Sequence, residues 1–480
     1  MSLVSLVRDT TQDIKHKADI LLDYLDRQEQ GLGQVQEFVE SSTILNIPSL
    51  RSLLPSSEGQ VVQVLSSYST AATQLHLGGG QFQAVNNLQA EPDDGGIVVH
   101  STHPTLVWKR INFTAYDMQF WGVVADASTD NAAAITRATQ YARRNRIVLE
   151  APAGSIHTSE MVPLYDNMGI RGHGRAENTV FYKTTNNGFN YTKNGVTVLT
   201  VDALAGFVPK EWDLADYEIK SFCVHAQLIG CMFRRLGLSA ENVATTRPQY
   251  GLHIGKAATA VVRQCTFEGG YIGIKGYNVF SSVFESVAAV QFNGYGYAGV
   301  SISDYRNSTL YNSGTSLDMR IVQVRGYQFG FELDRLQYST LIDCTAEEIV
   351  PMAGETTSYA FSMYDPFCIT MLNCATEFVK GGQIRVLGFA NPSFRPQLKV
   401  TGFIAIDQQN PAALTPIYLV DNGGTTGMNV VIEASELSRN TALSNNGQPS
   451  VQGAGAKVIL IGCSGEDWVA SGSGVFTRLA

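Results

Sequence analysis

The stretch FWGVVADASTDNAAAITRATQYARRNRIVLEAPAGSIHTSEMVPLYDNMGIRGHGRAENTVFY, residues 120–182, decides the fold of this chain. Asp126, Thr129 and Asp130 are small polar residues able to cap a helix, and apolar residues recur after them at helical spacing. A cluster of arginines follows, as is typical of the carboxyl end of a helix. The pattern predicts a short amphipathic helix and then a buried strand at residues 147–149.

The remainder of this stretch alternates short apolar runs with turn residues. Pro152 and Gly154 turn the chain, and residues 172–174 form a second, glycine-rich turn. Residues 161–162 and 168–170 are apolar and predict two short strands. We therefore expect a coil of short strands whose open end is covered by the helix.

Four segments of this stretch resemble the opening pattern of the pectate-lyase-like superfamily. In order along the chain they are WGVVAD (121–126), TDNAA (129–133), LEAPAG (149–154) and IRGHG (170–174). The resemblance implies an all-β fold, a right-handed parallel β-helix, which is preceded here by a short N-terminal helix and a small β collar.

The composition is consistent with a large repeat domain. The chain has 480 residues, 45 of them glycine, with 44% hydrophobic and 16% charged residues. These values suit one large all-β domain with smaller appendages. The low share of charged residues indicates surface that is covered in an oligomer, and together with the resemblance it predicts a homotrimer.

Several functional classes are disfavoured by the sequence. The net charge of −9 argues against a nucleic-acid partner. The chain has no apolar run of eighteen residues and no signal peptide, so we expect neither membrane insertion nor export by that route. Seven cysteines without a C-x-x-C pair predict buried thiols, and no dinucleotide-binding loop, serine elbow or metal motif is found. We therefore expect no cofactor and no metal.

Residues 1–46 form the first predicted segment. Apolar residues at helical spacing between Asp9 and Glu40 predict an amphipathic helix. Two interpretations stay open. The helix either packs within its own trimer or frays in solution, or it attaches the chain to another protein of a particle.

Residues 47–117 predict a small β collar rich in hairpins. Its marks are GGGQF (78–82), DDGGIV (93–98) and VWKR (107–110). Their order directly ahead of the coil resembles phage tail spikes and capsule depolymerases. This resemblance implies a protein made in the host cytoplasm, carried on the virion tail and acting outside the bacterial cell on a surface polysaccharide, either capsule or O-antigen.

We expect residues 118–392 to form the coil itself and residues 393–480 to form its C-terminal rungs and trimer contacts. The motif C-x-x-E occurs four times, starting at Cys265, Cys344, Cys374 and Cys463. A spacing of three on a strand places the cysteine inside the coil and the glutamate outside. Such repeats predict that like positions stack on neighbouring rungs.

The outer face of the middle rungs is predicted to carry a polysaccharide groove of carboxylates, arginines and tyrosines. The candidate catalytic residues are Asp304, Glu332, Asp334, Glu347 and Glu377. The candidate substrate-binding residues are Glu268, Tyr305, Arg306, Arg325, Arg335 and Tyr338. Asp343 and Glu348 belong to the same predicted groove.

Paired carboxylates on neighbouring rungs suit glycosidic hydrolysis. Glu347 and Glu377 follow matching cysteines, and adjacent rungs place their backbones about 4.8 Å apart. Side chains at that spacing can reach the roughly 5 to 9.5 Å between carboxyl groups that retaining and inverting hydrolases use. Repulsion between two such charges raises the pKa of one of them and so supplies an acid. Glu332 and Asp334, two residues apart on one strand face, form another acid pair.

Other interpretations of the same residues stay open. A polysaccharide lyase needs a cation for the uronate carboxylate and a base for the adjacent proton. The candidate pairs are Arg306 with Tyr305 and Arg325 with Tyr327. A non-catalytic receptor spike would instead bind glycan through its aromatic residues, with the glutamates forming a solvated ladder. Arg325 or Arg335 would then do no more than neutralise the neighbouring acids.

Overall fold

The computed structural model describes residues 43–68, 77–212, 222–235, 249–292, 296–303, 314–388, 396–406, 418–422, 427–436, 450–453, 456–464, 469–470 and 475–479. The helix predicted between Asp9 and Glu40 lies outside these ranges. The described residues form two compact units, one within residues 43–114 together with 120–122, the other comprising 115–119 and the chain from 123 onward. No helix in the described ranges is long and apolar enough to cross a membrane.

Among the described residues, the first unit is a five-stranded sheet with one short helix. Its elements are β1 (Thr43–Asn46), α1 (Ile47–Ser52), β2 (Val61–Ser66), β3 (Gly78–Asn86), β4 (Val98–His100) and β5 (Leu106–Ile111). The sheet order is β1-β2-β3-β5-β4, with β1 and β2 parallel and the other neighbours antiparallel. The sequence placed the start of the collar at residue 47, whereas the sheet already begins with β1.

Alternating apolar side chains build the core of the first unit. Phe82 and Trp108 are fully buried, together with Ile47 of α1. The side chain of Asn46 caps α1 by accepting a hydrogen bond from the Ser49 backbone N–H at 2.9 Å. Burial of this apolar face stabilises the small sheet.

Two buried charged residues hold the glycine-rich turns of the first unit. Arg110 donates hydrogen bonds to the carbonyl oxygens of Gly79 (2.7 Å) and Gly78 (2.9 Å). Its Nε donates to the Gly96 carbonyl oxygen at 2.8 Å. The Asp94 carboxylate accepts from three backbone N–H groups of the following turn at 2.8 to 3.2 Å. The sequence marks GGGQF and DDGGIV thus owe their geometry to one arginine and one aspartate.

The second unit contains the helix α2 (Ala132–Asn145), 3-10 turns at Met118–Trp121 and Ala176–Asn178, and strands β6 to β43. In chain order the strands are β6 (Tyr116–Asp117), β7 (Asp126–Asp130), β8 (Val148–Glu150), β9 (Gly154–Thr158), β10 (Val162–Leu164), β11 (Gly169–Arg171), β12 (Thr179–Lys183), β13 (Phe189–Lys193), β14 (Val196–Phe207), β15 (Cys223–Val224), β16 (Gln227–Ile229), β17 (Met232–Arg235), β18 (Gln249–Ile254), β19 (Ala257–Ala258), β20 (Val261–Arg263), β21 (Thr266–Glu268), β22 (Ile272–Tyr277), β23 (Val279–Phe280), β24 (Val283–Val290), β25 (Gly296–Ser303), β26 (Gly314–Thr315), β27 (Asp318–Arg325), β28 (Tyr327–Asp334), β29 (Leu336–Gln337), β30 (Thr340–Ile342), β31 (Thr345–Glu347), β32 (Tyr359–Tyr364), β33 (Ile369–Leu372), β34 (Ala375–Glu377), β35 (Gly382–Gly388), β36 (Gln397–Thr401), β37 (Ile404–Ile406), β38 (Tyr418–Asn422), β39 (Met428–Glu433), β40 (Ser450–Gly453), β41 (Ala456–Ile461), β42 (Val469–Ala470) and β43 (Val475–Leu479).

Three sheets form the sides of a coil in the described part of the second unit. We call them the long sheet, with 21 strands, the groove sheet, with 12, and the short sheet, with five. The groove sheet runs β10-β14-β18-β22-β25-β28-β32-β35-β38-β40-β42, and β13 pairs antiparallel with β14 as a side hairpin. Neighbouring rungs pair in parallel, as β25 does with β28. The fold is the right-handed parallel β-helix that the sequence predicted.

Inside the coil, like side chains stack on like from rung to rung. The rings of Phe181, Phe233 and Phe267 are nearly parallel, with centroids 5.1 and 5.4 Å apart. Phe331 and Phe361 stack in the same way at 4.9 Å. These distances follow the spacing of about 4.8 Å between paired strands. Each rung therefore buries its inner face mainly against its two neighbours.

The helix α2 forms as the sequence predicted and packs against β8 and β10. Ile135, Ala138 and Ala142 form its buried face. Asp130 accepts a hydrogen bond from the backbone N–H of Ala132 at 3.1 Å, so this predicted capping residue does serve the first helical turn. The helix covers one end of the coil with an apolar stripe, as its spacing indicated.

Single residues with left-handed backbone turn the chain within the long sheet. They occupy equivalent places on successive rungs and include Gln264, Ser286, Ile321, Asp343 and Asn373. The Asp343 N–H donates to the carbonyl oxygen of Leu372 on the next rung at 2.9 Å. Arg335, Tyr338 and Glu348 also have positive φ, between 46° and 49°. Four predicted groove residues therefore lie at turns, where a left-handed residue changes the direction of the chain. They are Asp343, Arg335, Tyr338 and Glu348.

A buried ion triad joins three strands near the helix-capped end. The Lys183 ammonium donates to Asp202 Oδ1 at 2.5 Å, and Arg235 Nη1 donates to the same oxygen at 2.9 Å. The three side chains are 1%, 2% and 4% exposed. Burial lowers the pKa of Lys183 and of Arg235, and the charge of Asp202 opposes that shift. One carboxylate thus compensates two cations in the interior.

In the described ranges beyond residue 392, the strands continue the coil. Strands β36 to β43 extend the long and groove sheets in the same parallel register. The boundary that the sequence placed at residue 393 marks no new fold. Trimer contacts in this section stay a prediction.

Candidate functional site

A column of polar side chains follows the outer face of the groove sheet. Strand register aligns Lys275, Ser301, Glu332, Ser362 and Arg385 on five successive rungs. The strand residues next to them point into the core, so alternation along each strand places this column outside. Together with Tyr271, Tyr297, Asp334 and Tyr364 we call this column the tyrosine groove.

Glu332 lies at the centre of the tyrosine groove and is half-buried. The Tyr297 hydroxyl donates a hydrogen bond to Glu332 Oε1 at 2.6 Å. The Ser301 hydroxyl donates to Oε2 at 3.0 Å. Both carboxylate oxygens are therefore fixed by the preceding rung, which orients this group as a reaction requires.

Lys275 lies two rungs before Glu332 and reaches it through one hydroxyl. Its ammonium donates to Ser301 Oγ at 3.0 Å and to Ser303 Oγ at 2.5 Å. Burial lowers the pKa of Lys275 to about 8, although the charges of Glu332 and Asp334 oppose the shift. The amine therefore titrates close to neutral pH, where general acids and bases are most effective.

Aromatic rings line the groove beside these charges. Tyr271 stacks on Tyr297 with centroids 5.5 Å apart, and Tyr297 packs edge-on against Phe329 at 5.3 Å. Burial raises the pKa of Tyr297, and the charge of Glu332 raises it further, so this hydroxyl stays protonated as a donor. Flat apolar rings next to fixed polar groups are typical of ligand-binding clefts.

Arg385 lies two rungs beyond Glu332 in an aromatic frame. Its guanidinium carbon is 5.0 to 5.2 Å from the ring centroids of Phe329, Tyr359 and Tyr364. The guanidinium donates to Ser362 Oγ at 2.9 and 2.8 Å and to the Tyr364 hydroxyl. Within the described ranges, it contacts uncharged oxygens and aromatic rings, and no carboxylate pairs with it.

Asp334 lies two residues after Glu332 on the same strand face. Arg335 Nε donates to its Oδ1 at 2.9 Å, and Nη2 donates to Oδ2 at 2.6 Å. The sequence left open whether Arg335 or Arg325 neutralises the acids of this strand. Arg335 pairs with Asp334. Among the described residues, Glu332 accepts hydrogen bonds only from the hydroxyl groups of Tyr297 and Ser301.

Glu347 and Glu377 lie on the long sheet, where Arg325 precedes them in register. We call this column the acid ladder. Gln323 Nε2 donates to Glu347 at 2.7 Å, and Arg325 forms an ion pair with Glu348 at 2.6 Å. The two glutamates therefore face each other across neighbouring rungs on a polar outer surface.

The structure divides the predicted groove between two sheets. Glu332 belongs to the groove sheet and Glu347 to the long sheet, so the candidates do not form one cleft. The sequence motif C-x-x-E gave no information on which side of the coil a strand occupies. The choice between the tyrosine groove and the acid ladder as the candidate site therefore rests on the hydroxyl groups, cations and aromatic rings around each column.

Other predicted residues lie apart from both columns. Glu268 lies on the outer face, as its motif predicted, but it is only 8% exposed and forms an ion pair with Arg234, so its role in substrate binding stays a prediction. Tyr338 is exposed and contacts Phe367 edge-on at 5.2 Å. Tyr327, considered as a base, is fully buried, and burial raises its pKa. Asp304, Tyr305 and Arg306 lie outside the described residues.

Three groove residues were missed by sequence analysis, namely Lys275, Tyr297 and Arg385. A usable signal was present, since the strand sequences GIKGY, GVSIS and GFELD align Lys275, Ser301 and Glu332 once the rungs are matched. No group of three or more His, Cys, Asp or Glu residues placed to hold a metal ion occurs in the described part of the chain.

The first unit matches a known family. Residues 43–113 match the family described as the phage tail protein small four-stranded β-sheet domain. This match covers β1 to β5 and ends before the coil. No curated protein matches the chain by sequence.

The coil is similar to solved structures of phage proteins. The tailspike gp42 of Acinetobacter phage vb_AbaP_AS12 is 18% identical with a TM-score of 0.65, over 91% of this chain and 73% of that one. The enzymatically active domain of tailspike protein 4 of bacteriophage CBA120 is 14% identical with a TM-score of 0.51, over 91% of this chain and 52% of that one. This chain thus spans about half the length of the second structure. The similarity shows the shared parallel β-helix fold.

Proposed function

We propose that this chain, which carries a phage tail domain and the parallel β-helix of phage tailspikes, binds and cleaves a polysaccharide on the host surface. The observation that supports this most directly is the tyrosine groove. It combines a carboxylate fixed by two hydroxyl donors, stacked aromatic rings and two cations on one outer sheet face. A sugar chain offers ring faces for the tyrosines and hydroxyl groups for the polar side chains.

Hydrolysis of a glycosidic bond is the chemistry we assign to this groove. Glu332 is the proposed general acid, which protonates the leaving oxygen. Asp334 is the proposed base, which takes a proton from the water attacking the anomeric carbon. Two residues along a strand place their Cα atoms about 6.6 Å apart, and the side chains can adjust that separation to suit an intervening water. Arg335 fixes the orientation of the Asp334 carboxylate through two hydrogen bonds.

A proton relay supports the role of Glu332. Lys275 donates to Ser301, and Ser301 donates to Glu332, so both hydrogen bonds point towards the carboxylate. After Glu332 has given its proton to the leaving group, Ser301 can pass on its own proton and receive one from Lys275. The ammonium thereby restores the acid, after which Lys275 takes up a proton from solvent and Asp334 releases to solvent the proton that it took from the attacking water.

The pH dependence of cleavage should reveal this relay. Lys275 carries its proton below its pKa of about 8 and loses it above, so we expect the hydrolysis rate to fall as the pH rises through about 8. Replacing Lys275 with methionine should remove that alkaline limb and lower the rate. The check is the initial rate of chain shortening from about pH 6 to about pH 10 for both proteins. An unchanged limb in the Lys275→Met variant would contradict the relay.

Elimination by a lyase mechanism is a second candidate, favoured by the same lowered pKa. The Glu332 carboxylate would take the proton next to a uronate carboxylate, and a neutral Lys275 amine, itself only 7% exposed, would receive that proton through Ser301. The two mechanisms predict opposite pH responses, since a base is active above about pH 8 and an acid below it. Lyase products also carry a double bond that absorbs in the ultraviolet, whereas hydrolase products do not.

A panel of purified bacterial capsular and O-antigen polysaccharides tests the proposed function. The expected result is shortening of at least one polymer without new ultraviolet absorbance. Shortening with absorbance would assign elimination. Binding without shortening of any polymer would overturn cleavage and favour the receptor spike.

The assembly of the protein is part of the same proposal. We propose a homotrimer carried on the virion tail, in which residues 1–46 attach the chain to another tail protein. The phage tail domain at residues 43–113 supports the placement on the tail. The mass of the purified chain in solution tests the trimer, and a monomer would contradict it.

A further inference from the structure

Arg385 is a cation at the surface of the tyrosine groove whose charge has no carboxylate partner among the described residues. Nε and Nη2 donate hydrogen bonds to Ser362 and Tyr364. Among the described residues, Nη1 has no hydrogen-bond acceptor. The side chain is partly exposed, so this donor is available to a molecule that binds at the groove.

The surroundings hold this guanidinium in one orientation. Three aromatic rings lie about it with centroids 5.0 to 5.2 Å from its central carbon. The Ser362 hydroxyl accepts from two of its nitrogens. An arginine fixed in this way loses little conformational entropy when it binds, and its planar fork suits a carboxylate.

Other groups of the groove are less suited to hold an anion. Lys275, the second cation of the column, is only 7% exposed and directs its ammonium towards Ser301 and Ser303. The carboxylates of Glu332 and Asp334 repel an anion from the centre. Arg385 lies two rungs from Glu332, roughly 9.6 Å along the sheet at the usual strand spacing. It is therefore placed to contact a sugar ring next to the one that reacts.

We propose that Arg385 binds the carboxylate of an acidic sugar, so that the polysaccharide recognised by this chain contains a uronic or similarly carboxylated residue. This inference rests on the proposed function, because it names the substrate class of the same groove. It holds for hydrolysis and for elimination alike, since it concerns binding beside the reacting bond.

The test compares acidic polysaccharides with their own carboxyl-reduced forms. The probes are purified capsular polysaccharides that contain uronic acids, each paired with a derivative in which the carboxyl groups have been reduced to hydroxymethyl groups. We expect the unaltered protein to bind at least one native polymer roughly ten- to hundredfold more tightly than its reduced form, the range for a lost charged hydrogen bond. The dissociation constants are measured directly, separately from cleavage.

Variants of Arg385 distinguish recognition from a structural role. Arg385→Gln should weaken binding of the native polymer and leave binding of the reduced polymer unchanged, so the preference disappears. Arg385→Lys keeps the charge without the fork and should retain part of the preference. Arg320→Gln is the matched control, because Arg320 lies on the long sheet in an ion pair with Asp318, and it should keep the full preference.

The outcomes separate this inference from the proposed function. An equal loss of affinity for both polymers in Arg385→Gln, or a preferred polymer that is neutral, would overturn carboxylate recognition even if cleavage is observed. Equally tight binding of the native and reduced polymers would also overturn it. Carboxyl reduction removes the carboxylates but leaves phosphate groups charged, so such binding would depend on phosphate or on uncharged groups. An Arg385-dependent preference without cleavage would support the inference and contradict the depolymerase.

Discussion

Replacing Glu332 with glutamine is expected to slow polysaccharide cleavage roughly 100- to 10,000-fold, the usual contribution of a general acid or base. Glutamine has the same shape and can still bond to Tyr297 and Ser301, but it cannot donate a proton to a leaving oxygen. Binding of the polysaccharide should persist. The measurement is the rate at which the longest chains disappear, together with the affinity of the variant for the uncut polymer.

Glu285→Gln is the control for the loss of one outer glutamate. Glu285 forms an ion pair with Arg263 at 2.7 Å on the long sheet, so it lies on a different sheet from the tyrosine groove and in a different register from the acid ladder. Its variant should cleave at the original rate. If Glu332→Gln cleaves normally while Glu347→Gln or Glu377→Gln does not, the reaction takes place at the acid ladder and the tyrosine groove is not the catalytic site.

Replacing Asp202 with asparagine is expected to destabilise the coil by about 3 to 5 kcal/mol, the cost of breaking a buried ion pair on one side. The substitution leaves Lys183 and Arg235 buried next to each other without a compensating charge. Their mutual repulsion is then unopposed, and the uncharged amide oxygen of asparagine is a weaker acceptor for the two cations than the carboxylate. Equilibrium unfolding in denaturant checks the result, provided that unfolding is reversible, and the midpoint should fall.

Glu150→Gln provides the comparison for Asp202→Asn. Glu150 pairs with Arg171 at 3.2 Å on the surface, where both side chains are well exposed. Exposed pairs of this kind contribute about 0.2 to 1 kcal/mol, so the midpoint should hardly move. Equal effects of the two substitutions would mean that the buried triad adds no more to stability than a surface pair.

The sequence alone predicted the architecture because the signals of a coil are local. The helix α2 depends on the spacing of Ile135, Ala138 and Ala142 within one segment, and its burial is as predicted. Short apolar runs between turn residues identified the strands, since strand propensity and turn chemistry act within a few residues. The bounds of the first sheet differed by four residues because nothing in the segment before Ile47 marks β1 as a partner of β2.

The candidate site was harder to predict because it depends on register between rungs. Glu332 was identified from its strand, yet its partners Tyr297 and Ser301 come from the preceding rung. A lone Lys275 among glycines gave no sign of its contact with that rung. Glu268 has the same C-x-x-E motif as Glu347, but it pairs with an arginine on the neighbouring rung, so a shared motif gave two different environments.

The register between rungs determines where this chain tolerates insertions and deletions. One residue added within β28 would shift the following side chains to the opposite face, since faces alternate along a strand. Leu333 would then leave the core, where it is 1% exposed. Residues added between β31 and β32, where the chain takes a longer path from Glu347 to Tyr359, would leave both strands in register. Changes of length should therefore accumulate at such connections, and related chains can alter the rim of the groove while every rung keeps its partner.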